Sequence, residues 1–256
     1  MEKEPAIQGF TLVEMAIVLS IIGLLIGGVL TGSNLMRAAQ LRRIETEKQR
    51  IVTAVRVFKS IYSALPGDMP NATSVWGALN PNPAVCKDIV GTDARTCNGD
   101  GNYRLEETAG SWEPFRFWQQ LANAGLWEGN YPGEGTWYEP GKNVAMAPLD
   151  GAGWWLWYVG TRVGEAATNG WYDGVYGNVL SSAQVITPAT YQPLTPEEAL
   201  NFDLKYDDGK PATGFIRVFA PAWSALECAD TLIVTTAVYK TSVEGKACNP
   251  IFVNVF

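Results

Sequence analysis

Hydrophobic and polar positions divide the first 65 residues into two segments. Residues 10–30, FTLVEMAIVLSIIGLLIGGVL, form an apolar run that carries a single charge, Glu14. As a helix, this run would span about 30 Å, which is the thickness of the hydrocarbon core of a bilayer. The pattern therefore predicts a transmembrane helix.

The apolar pattern changes after the predicted span but does not stop. Apolar residues now recur at steps of three and four with one gap of seven, while basic residues occupy the other positions. This spacing predicts an amphipathic helix. Pro66, Gly67 and Asp68 are typical of a helix end, so we expect one helix over residues 10–65. The apolar positions are Leu41, Ile44, Ile51, Val55, Phe58, Tyr62 and Leu65.

Residues 66–256 have the patterns of a mixed globular domain. Residues 66–110 and most of 128–178 are predicted to be loops, the latter with short strands, because they are rich in turn-forming residues. Ser111 can cap a helix from Trp112 to about Ala124, and Thr195 with Glu198 forms a capping box for a helix to about Tyr206. Residues 214–220, 231–240 and 251–256 read as antiparallel strands. The expected fold class is α+β.

The charge is distributed unevenly along the chain. Residues 1–36 carry a charge of −2 and residues 37–59 carry +5. The net charge of the chain is −7, so residues 60–256 carry −10. An acidic domain of this kind is a poor electrostatic match for nucleic acid. We therefore do not expect a nucleic-acid partner.

The four cysteines and the absence of histidine limit the chemistry. Cys86 and Cys97 form one sequence-local pair, and Cys228 and Cys248 form another. Four cysteines allow three connectivities, and we favour disulfides within these two pairs for an exported domain. A zinc site is disfavoured because the chain has neither a CxxC pair nor a histidine. No nucleophile–base set stands out, so we do not expect an enzyme.

The nine residues before the apolar run, MEKEPAIQG, do not resemble an ordinary secretory signal. Their polar part precedes the run, and no small-x-small cleavage site follows it. Glu14 is also unusual, because a carboxylate in a membrane segment is costly. The simplest interpretation places Glu14 at the membrane interface.

A more specific interpretation comes from residues 9–14, GFTLVE. This motif resembles the prepilin peptidase site of type IV pilins and of type II secretion pseudopilins. The resemblance implies cleavage between Gly9 and Phe10 on the cytoplasmic side and N-methylation of the new Phe10 amine. It also implies that Glu14 pairs with the Phe10 amine of a neighbouring subunit. That pairing would relieve the cost of a buried carboxylate and fix the axial register.

The same resemblance implies an architecture, a location and partners. The family has a lollipop form, in which the long N-terminal helix packs on an antiparallel sheet head with extra loops and short helices. Residues 1–9 would be the leader, 10–65 the helix and 66–256 the head. The expected function is a structural subunit of a type IV pilus or a pseudopilus, and the head size favours a minor subunit. Expected partners are prepilin peptidase, other pilin subunits and the inner-membrane assembly machinery. The subunit would leave the inner membrane for a periplasmic pseudopilus or a surface pilus.

One segment of the head has the pattern of a calcium site. Asn98, Asp100 and Asn102, with Glu106 or Glu107 downstream, place oxygen ligands on alternate residues, as hard cations require. The segment is not an EF-hand, since Tyr103 stands where that motif needs glycine. The alternative is an Asn- and Gly-rich turn beside a disulfide, without a bound ion. Calcium is the one cofactor we consider.

The ten tryptophans of the chain suggest a second function. They lie within residues 76–256 and cluster at Trp154, Trp155 and Trp157. Exposed aromatic rings would suit an adhesin displayed on a pilus. Packing in the core and under loops is the more frequent role of tryptophan.

Overall fold

The structure is a computed structural model that describes residues 11–106, 112–135, 137–164, 170–183, 192–219 and 225–256. The chain divides into two compact units, Met1–Arg42 and Arg43–Phe256. A long N-terminal helix and a small antiparallel sheet of four strands give an α+β arrangement, as the sequence predicts.

Helix α1, Leu12–Tyr62, accounts for most of the described part of the first unit and enters the second. It contains no proline, and its glycines do not interrupt it. The helix ends where Ser63 adopts a φ of 55° and donates its N–H to the carbonyl of Lys59. This left-handed residue closes the helix slightly before the end that Pro66 and Gly67 suggest.

In the second unit, the amphipathic stripe of α1 contributes to the core. Ile44, Ile51, Val55 and Phe58 are almost completely buried, as expected for positions at steps of three and four. Arg43, Arg50 and Arg56 are exposed on the other side of the helix. The helical period therefore separates core-facing and solvent-facing residues of this part of α1.

The sheet has the order β1-β2-β4-β3, and all three pairings are antiparallel. On one face, the Trp154 indole of β1 donates to Glu47 of α1 over 3.2 Å, and Lys48 lies over the Phe252 ring. On the other face, Trp155 and Trp157 pack against a second apolar cluster. The strands are β1 (Gly153–Arg162), β2 (Gly174–Ala183), β3 (Ile216–Phe219) and β4 (Asn249–Phe252).

The prediction of loops and short strands for residues 128–178 is wrong for β1, which has ten residues, and misses the start of β2. The second half of β2, residues 179–183, lies beyond that predicted segment. Apolar groups cover both faces of this hairpin, so the run GWWLWYVGTR lacks the simple alternation of a half-exposed strand. Gly160 and Gly177 resemble turn residues in the sequence. In the structure they face each other at a register irregularity, each with a positive φ.

The predictions for the last strands are correct in part. Strand β3 falls within residues 214–220, whereas β4 begins two residues earlier than predicted and stops before Asn254, whose φ is 51°. The predicted strand over residues 231–240 is wrong. That segment contains a turn at residues 234–236, and Tyr239 forms an isolated bridge with Ala229. No strand in the described residues pairs with its β-branched residues.

The helices of the second unit agree better with the sequence. Helix α3 is Glu113–Asn123, close to the predicted range, while the predicted cap Ser111 lies outside the described residues. Helix α4 is Pro196–Tyr206 with both bonds of the Thr195 and Glu198 capping box, as predicted. The predicted loop over residues 66–110 includes helix α2 and a 3-10 helix. The remaining helices are α2 (Ala72–Trp76), the 3-10 helix (Pro83–Asp88) and α5 (Ala225–Cys228).

Neighbouring segments cover both outer strands of the sheet. On β3, the Ile216 N–H donates to the Asp207 carboxylate and the Val218 N–H donates to the Pro211 carbonyl. On β1, the Trp154 N–H donates to Ala145 and the Tyr158 N–H donates to Leu105. These edge groups are not available to add a strand from another chain.

Candidate functional site

The start of α1 is closed by a capping box between Thr11 and Glu14. The Glu14 carboxylate accepts hydrogen bonds from the Thr11 N–H and from the Thr11 hydroxyl, both over 2.8 Å. The Glu14 N–H donates back to the Thr11 hydroxyl over 3.2 Å. The carboxylate that looks isolated in the sequence is thus partnered within its own chain.

The pattern T-x-x-E over residues 11–14 is a sequence signal for this capping box, and it was overlooked when Glu14 was interpreted only as a lone charge. Gly9 and Phe10, the predicted cleavage and methylation residues, lie outside the described residues. Their predicted roles therefore stay predictions.

The apolar part of α1 presents its side chains outwards. Leu12 is 91% exposed, and no residue in the most hydrophobic 18-residue window, whose mean hydropathy is 2.4, is buried. The helix is long and apolar enough to cross a membrane. Such a surface is unstable in water, so it requires lipid or other apolar helices around it. Other exposed apolar residues here are Val13, Ile17, Leu19, Ile21, Leu24, Leu25, Ile26 and Val29.

A cluster of three carboxyl groups lies where the end of α1 meets the loop after Cys97. Oxygen atoms of Asp68, Asp100 and Glu113 lie within 4.8 Å of one another, with Asp68 and Glu113 buried and Asp100 exposed. Asp68 accepts backbone N–H groups of residues 101–103 over 2.7–3.1 Å. Glu113, at the start of α3, accepts the N–H groups of Asp100 and Glu106.

Burial is the main cause of the raised pKa values of Asp68 and Glu113 in this cluster. It raises the pKa of Asp68 to about 6 and that of Glu113 to about 8, although their backbone hydrogen bonds act in the opposite direction. The neighbouring Asp100 charge raises both pKa values further. A proton or a cation would relieve this concentration of negative charge.

Three of the four predicted calcium ligands lie together. The Asn102 side-chain amide donates to Asp100 over 2.9 Å and to Glu106 over 3.0 Å. Asn98 instead accepts the N–H of Thr73, which orders the start of α2. The three clustered carboxyl groups could hold a metal ion. Asp68 and Glu113 are far from Asp100 along the chain, so the sequence pattern does not predict them as part of this site. A calcium site stays a prediction.

Disulfides Cys86–Cys97 and Cys228–Cys248 close two loops. Buried Arg116 holds the first loop through bonds to the carbonyls of Cys86 and Ile89, each over 3.0 Å. Its guanidinium also donates to Gln119, whose amide binds the Arg95 carbonyl at the far side of that loop. Desolvation lowers the pKa of Arg116 to about 10, so this group remains charged at neutral pH.

The second disulfide loop is attached to α4 by a buried hydrogen bond. The Tyr239 hydroxyl donates to the Asp203 carboxylate over 2.7 Å, and the Gly209 N–H donates to the same carboxylate over 3.2 Å. Burial raises the pKa of Asp203 to about 7, with a further increase from Asp208 and Asp207.

Most tryptophans of the head are used in packing. Among the nine in the described residues, Trp118 and Trp154 are buried, six are half-buried, and only Trp137 is exposed, by 48%. Trp155 and Trp157 contact the cluster on the outer face of the sheet. Binding of an external ligand by the aromatic residues stays a prediction.

The described geometry combines an exposed apolar helix, a capped carboxylate at its start and a disulfide-bonded domain. A family described as the prokaryotic N-terminal methylation motif matches residues 6–30. No curated protein and no solved structure matches the chain.

The matched residues contain the predicted cleavage position, Thr11, Glu14 and the apolar part of α1. This match supports a type IV pilin-like or pseudopilin-like protein. It is also consistent with anchoring of the chain in a membrane before assembly. The match covers only the N-terminal segment, so the role of the second unit is not part of it.

Proposed function

We propose that the chain is a structural subunit of a type IV pilus or of a type II secretion-like pseudopilus. Prepilin peptidase would remove residues 1–9 and methylate Phe10, and the subunit would then assemble with other pilin subunits through α1. Before assembly the subunit would be a single-pass protein of the inner membrane. The observation that carries the proposal is the exposed apolar start of α1 with Glu14 in its first turn.

The physical argument concerns what surrounds this surface. In the membrane, lipid covers the apolar side chains, and in a filament the equivalent helices of neighbouring subunits would replace the lipid. Burying Glu14 among apolar helices is unfavourable unless a cation compensates its charge. The Phe10 amine of a neighbour would supply that charge, in addition to the hydrogen bonds from Thr11.

The proposal is tested by Glu14→Ala. We expect membrane insertion and processing to remain largely intact, because the substitution increases apolarity and leaves Gly9 and Phe10 in place. We expect filament yield to fall by tenfold or more, since the neighbour's buried amine would lose its partner. Imaging of sheared filaments, with immunoblots of the processed chain, measures both effects.

A matched control is Ser20→Ala, which removes an exposed hydroxyl that donates to the Ala16 carbonyl of the same helix. Wild-type filament yield is expected for this control. Equal yields in the wild type and the Glu14→Ala variant would contradict a role of Glu14 in assembly. A secretion assay run on the same strains would distinguish a pseudopilus from a pilus.

Absence of catalysis is also part of the proposal. The chain contains no histidine, and its buried carboxyl groups are engaged by backbone N–H groups or by Tyr239. These contacts favour structural roles for the carboxyl groups. An activity screen of the purified full-length chain that found turnover would contradict this part of the proposal.

A further inference from the structure

The segment of α1 that follows its apolar surface is positively charged and contains no acid. Residues 15–44 include no aspartate or glutamate, while arginines stand at 37, 42 and 43. Arg37 is half-buried along the helix and donates to Gln40 over 3.5 Å, and Arg42 is exposed. Arg43, at the end of this segment, pairs with Glu47 over 3.2 Å.

The helical rise places these charges relative to a bilayer, given the membrane anchoring in the proposed function. Placing the Glu14 charge at the near boundary of the hydrocarbon core, as in the interface interpretation of Glu14, shifts the span from residues 10–30 to about residues 14–34. About 20 residues then cross about 30 Å, so the far boundary lies near residue 34. Leu35 and Met36, both exposed and apolar, lie at that boundary. Arg37 then lies about 5 Å beyond it and Arg42 about 12 Å beyond it.

Both distances are within electrostatic range of phospholipid headgroups. The headgroup region extends roughly 5–7 Å beyond the hydrocarbon core, and the Debye length at physiological salt adds about 8 Å. Arginine side chains are also long enough to extend back towards the interface. The planar guanidinium forms two parallel hydrogen bonds with phosphate oxygens, which makes it well suited to such headgroups.

We propose that Arg37 and Arg42 bind anionic phospholipid headgroups of the leaflet from which α1 emerges, and so hold the unassembled subunit at a fixed depth. When the subunit leaves the membrane to join a filament, these two arginines would have to release the lipid phosphates. The inference rests on the membrane-anchored state in the proposed function. It does not depend on filament formation.

Two charge arguments favour lipid as the partner. Basic residues that orient a span are concentrated on its cytoplasmic side, whereas these arginines lie beyond the opposite end in the proposed orientation. Orientation of the span therefore does not explain them. Residues 60–256 carry −10, so this part of the chain is repelled by an anionic surface, and the arginines supply the attraction.

The experiment uses the full-length chain in a neutral detergent with equal amounts of phosphatidylglycerol and phosphatidylcholine. Native mass spectrometry counts the two kinds of lipid retained by the wild type, by an Arg37→Gln/Arg42→Gln variant and by Arg56→Gln. Arg56 is the control, because it is exposed on the same helix but stands 14 residues after Arg42. The control therefore removes one positive charge outside the proposed headgroup region, whereas the double variant removes two charges within it.

We expect the wild type and Arg56→Gln to retain phosphatidylglycerol over phosphatidylcholine by about fivefold or more. The double variant should retain the two lipids almost equally. An unchanged preference in the double variant would overturn the proposal. So would an equal loss of preference in Arg56→Gln, because the effect would then reflect net charge alone.

A filament assay on the same variants separates this inference from the proposed function. Loss of filaments with an unchanged lipid preference in the double variant would overturn the lipid site in favour of an acidic group on a neighbouring subunit. Failure of the wild-type chain to be processed and assembled would instead contradict the proposed function. The lipid preference can be measured in either case.

Discussion

At the scale of single residues, the buried carboxyl groups of this protein hold loops in place. Asp68 binds three consecutive backbone N–H groups, Glu113 binds two, and Asp203 binds Gly209 and Tyr239. Each joins segments that are distant in sequence. Because burial raises the pKa of all three groups, the loops they hold become sensitive to pH near neutrality.

The first prediction concerns Asp203→Asn. The pKa of Asp203 is higher in the folded state, about 7, than its ordinary 3.8, so its contribution is fully present below pH 3.8 and is lost as the pH rises through 7. The loss is on the order of 4 kcal/mol at most by pH 8. Asn can accept the Gly209 N–H through its amide oxygen, and its amide nitrogen can donate to the Tyr239 oxygen in the reverse direction. We expect the Asn variant to match the wild-type Tm at pH 4 and to exceed it by several degrees at pH 8.

Thermal unfolding of the detergent-solubilised full-length chain at the two pH values measures this effect. Asp230→Asn serves as the control, because it removes an exposed carboxylate that binds the Val238 N–H in the same disulfide loop. Its pH profile should follow the wild type. A Tm difference for Asp203→Asn that is the same at pH 4 and pH 8 would argue against titration of Asp203.

The second prediction concerns Thr11. Replacing it with Val removes the hydroxyl that exchanges two hydrogen bonds with Glu14, which weakens the first turn of α1 by about 1 kcal/mol. Amide hydrogen exchange of Glu14 and Met15, whose N–H groups bond to Thr11, should then be about fivefold faster in detergent, while Thr11→Ser should exchange like the wild type. Equal exchange in Thr11→Val would show that the capping box does not stabilise this turn.

At the scale of elements, the first disulfide loop is held by both a covalent and a polar connection. Cys86–Cys97 closes a loop with a sequence separation of 11, and Arg116 and Gln119 of α3 bind carbonyls on both sides of it. The disulfide limits the freedom of the unfolded chain, whereas the polar contacts stabilise only the folded one.

The third prediction follows from this division. A Cys86→Ala/Cys97→Ala variant should lose about 3 kcal/mol of unfolding free energy through the loop-closure term, and its Tm should fall by about 6–12 °C. It should still fold, because Arg116 retains its bonds to carbonyls. If the double variant and the wild type had the same Tm under oxidising conditions, this disulfide would not have a stabilising role.

The elements also show what could be predicted from the sequence. Helices α1, α3 and α4 have clear periodicity or capping signals, and the structure contains all three. The hairpin β1–β2 was missed because both of its faces are covered and its glycines resemble turn residues. The wrong strand at residues 231–240 has β-branched residues without a pairing partner, which local propensity alone does not reveal.

The candidate sites follow the same division between local and distant information. The start of α1 could be interpreted from residues 9–30, since the motif and the apolar surface are local features. The capping box has an equally local T-x-x-E signal, although Glu14 was interpreted only as a lone charge. The carboxyl cluster could not, because Asp68, Asp100 and Glu113 come from three different segments. Only the folded chain brings these groups within 4.8 Å of one another.

At the scale of the whole molecule, the chain combines a membrane-compatible apolar helix with an acidic, disulfide-bonded domain. The charge changes from −2 in residues 1–36 to +5 in residues 37–59 and to −10 in the remainder. The apolar helix requires lipid or other helices, and the acidic domain favours an aqueous compartment. Processing at the N-terminus would allow the apolar helix to be surrounded by lipid before assembly and by the helices of neighbouring subunits afterwards.

The most direct test of this account is mass spectrometry of the N-terminal peptide of the protein isolated from its native cells. We predict a chain that begins at Phe10 and carries a methyl group on its amine, and a Gly9→Leu variant that accumulates as the uncleaved precursor. A working form of the protein that retains residues 1–9 would contradict the central claim.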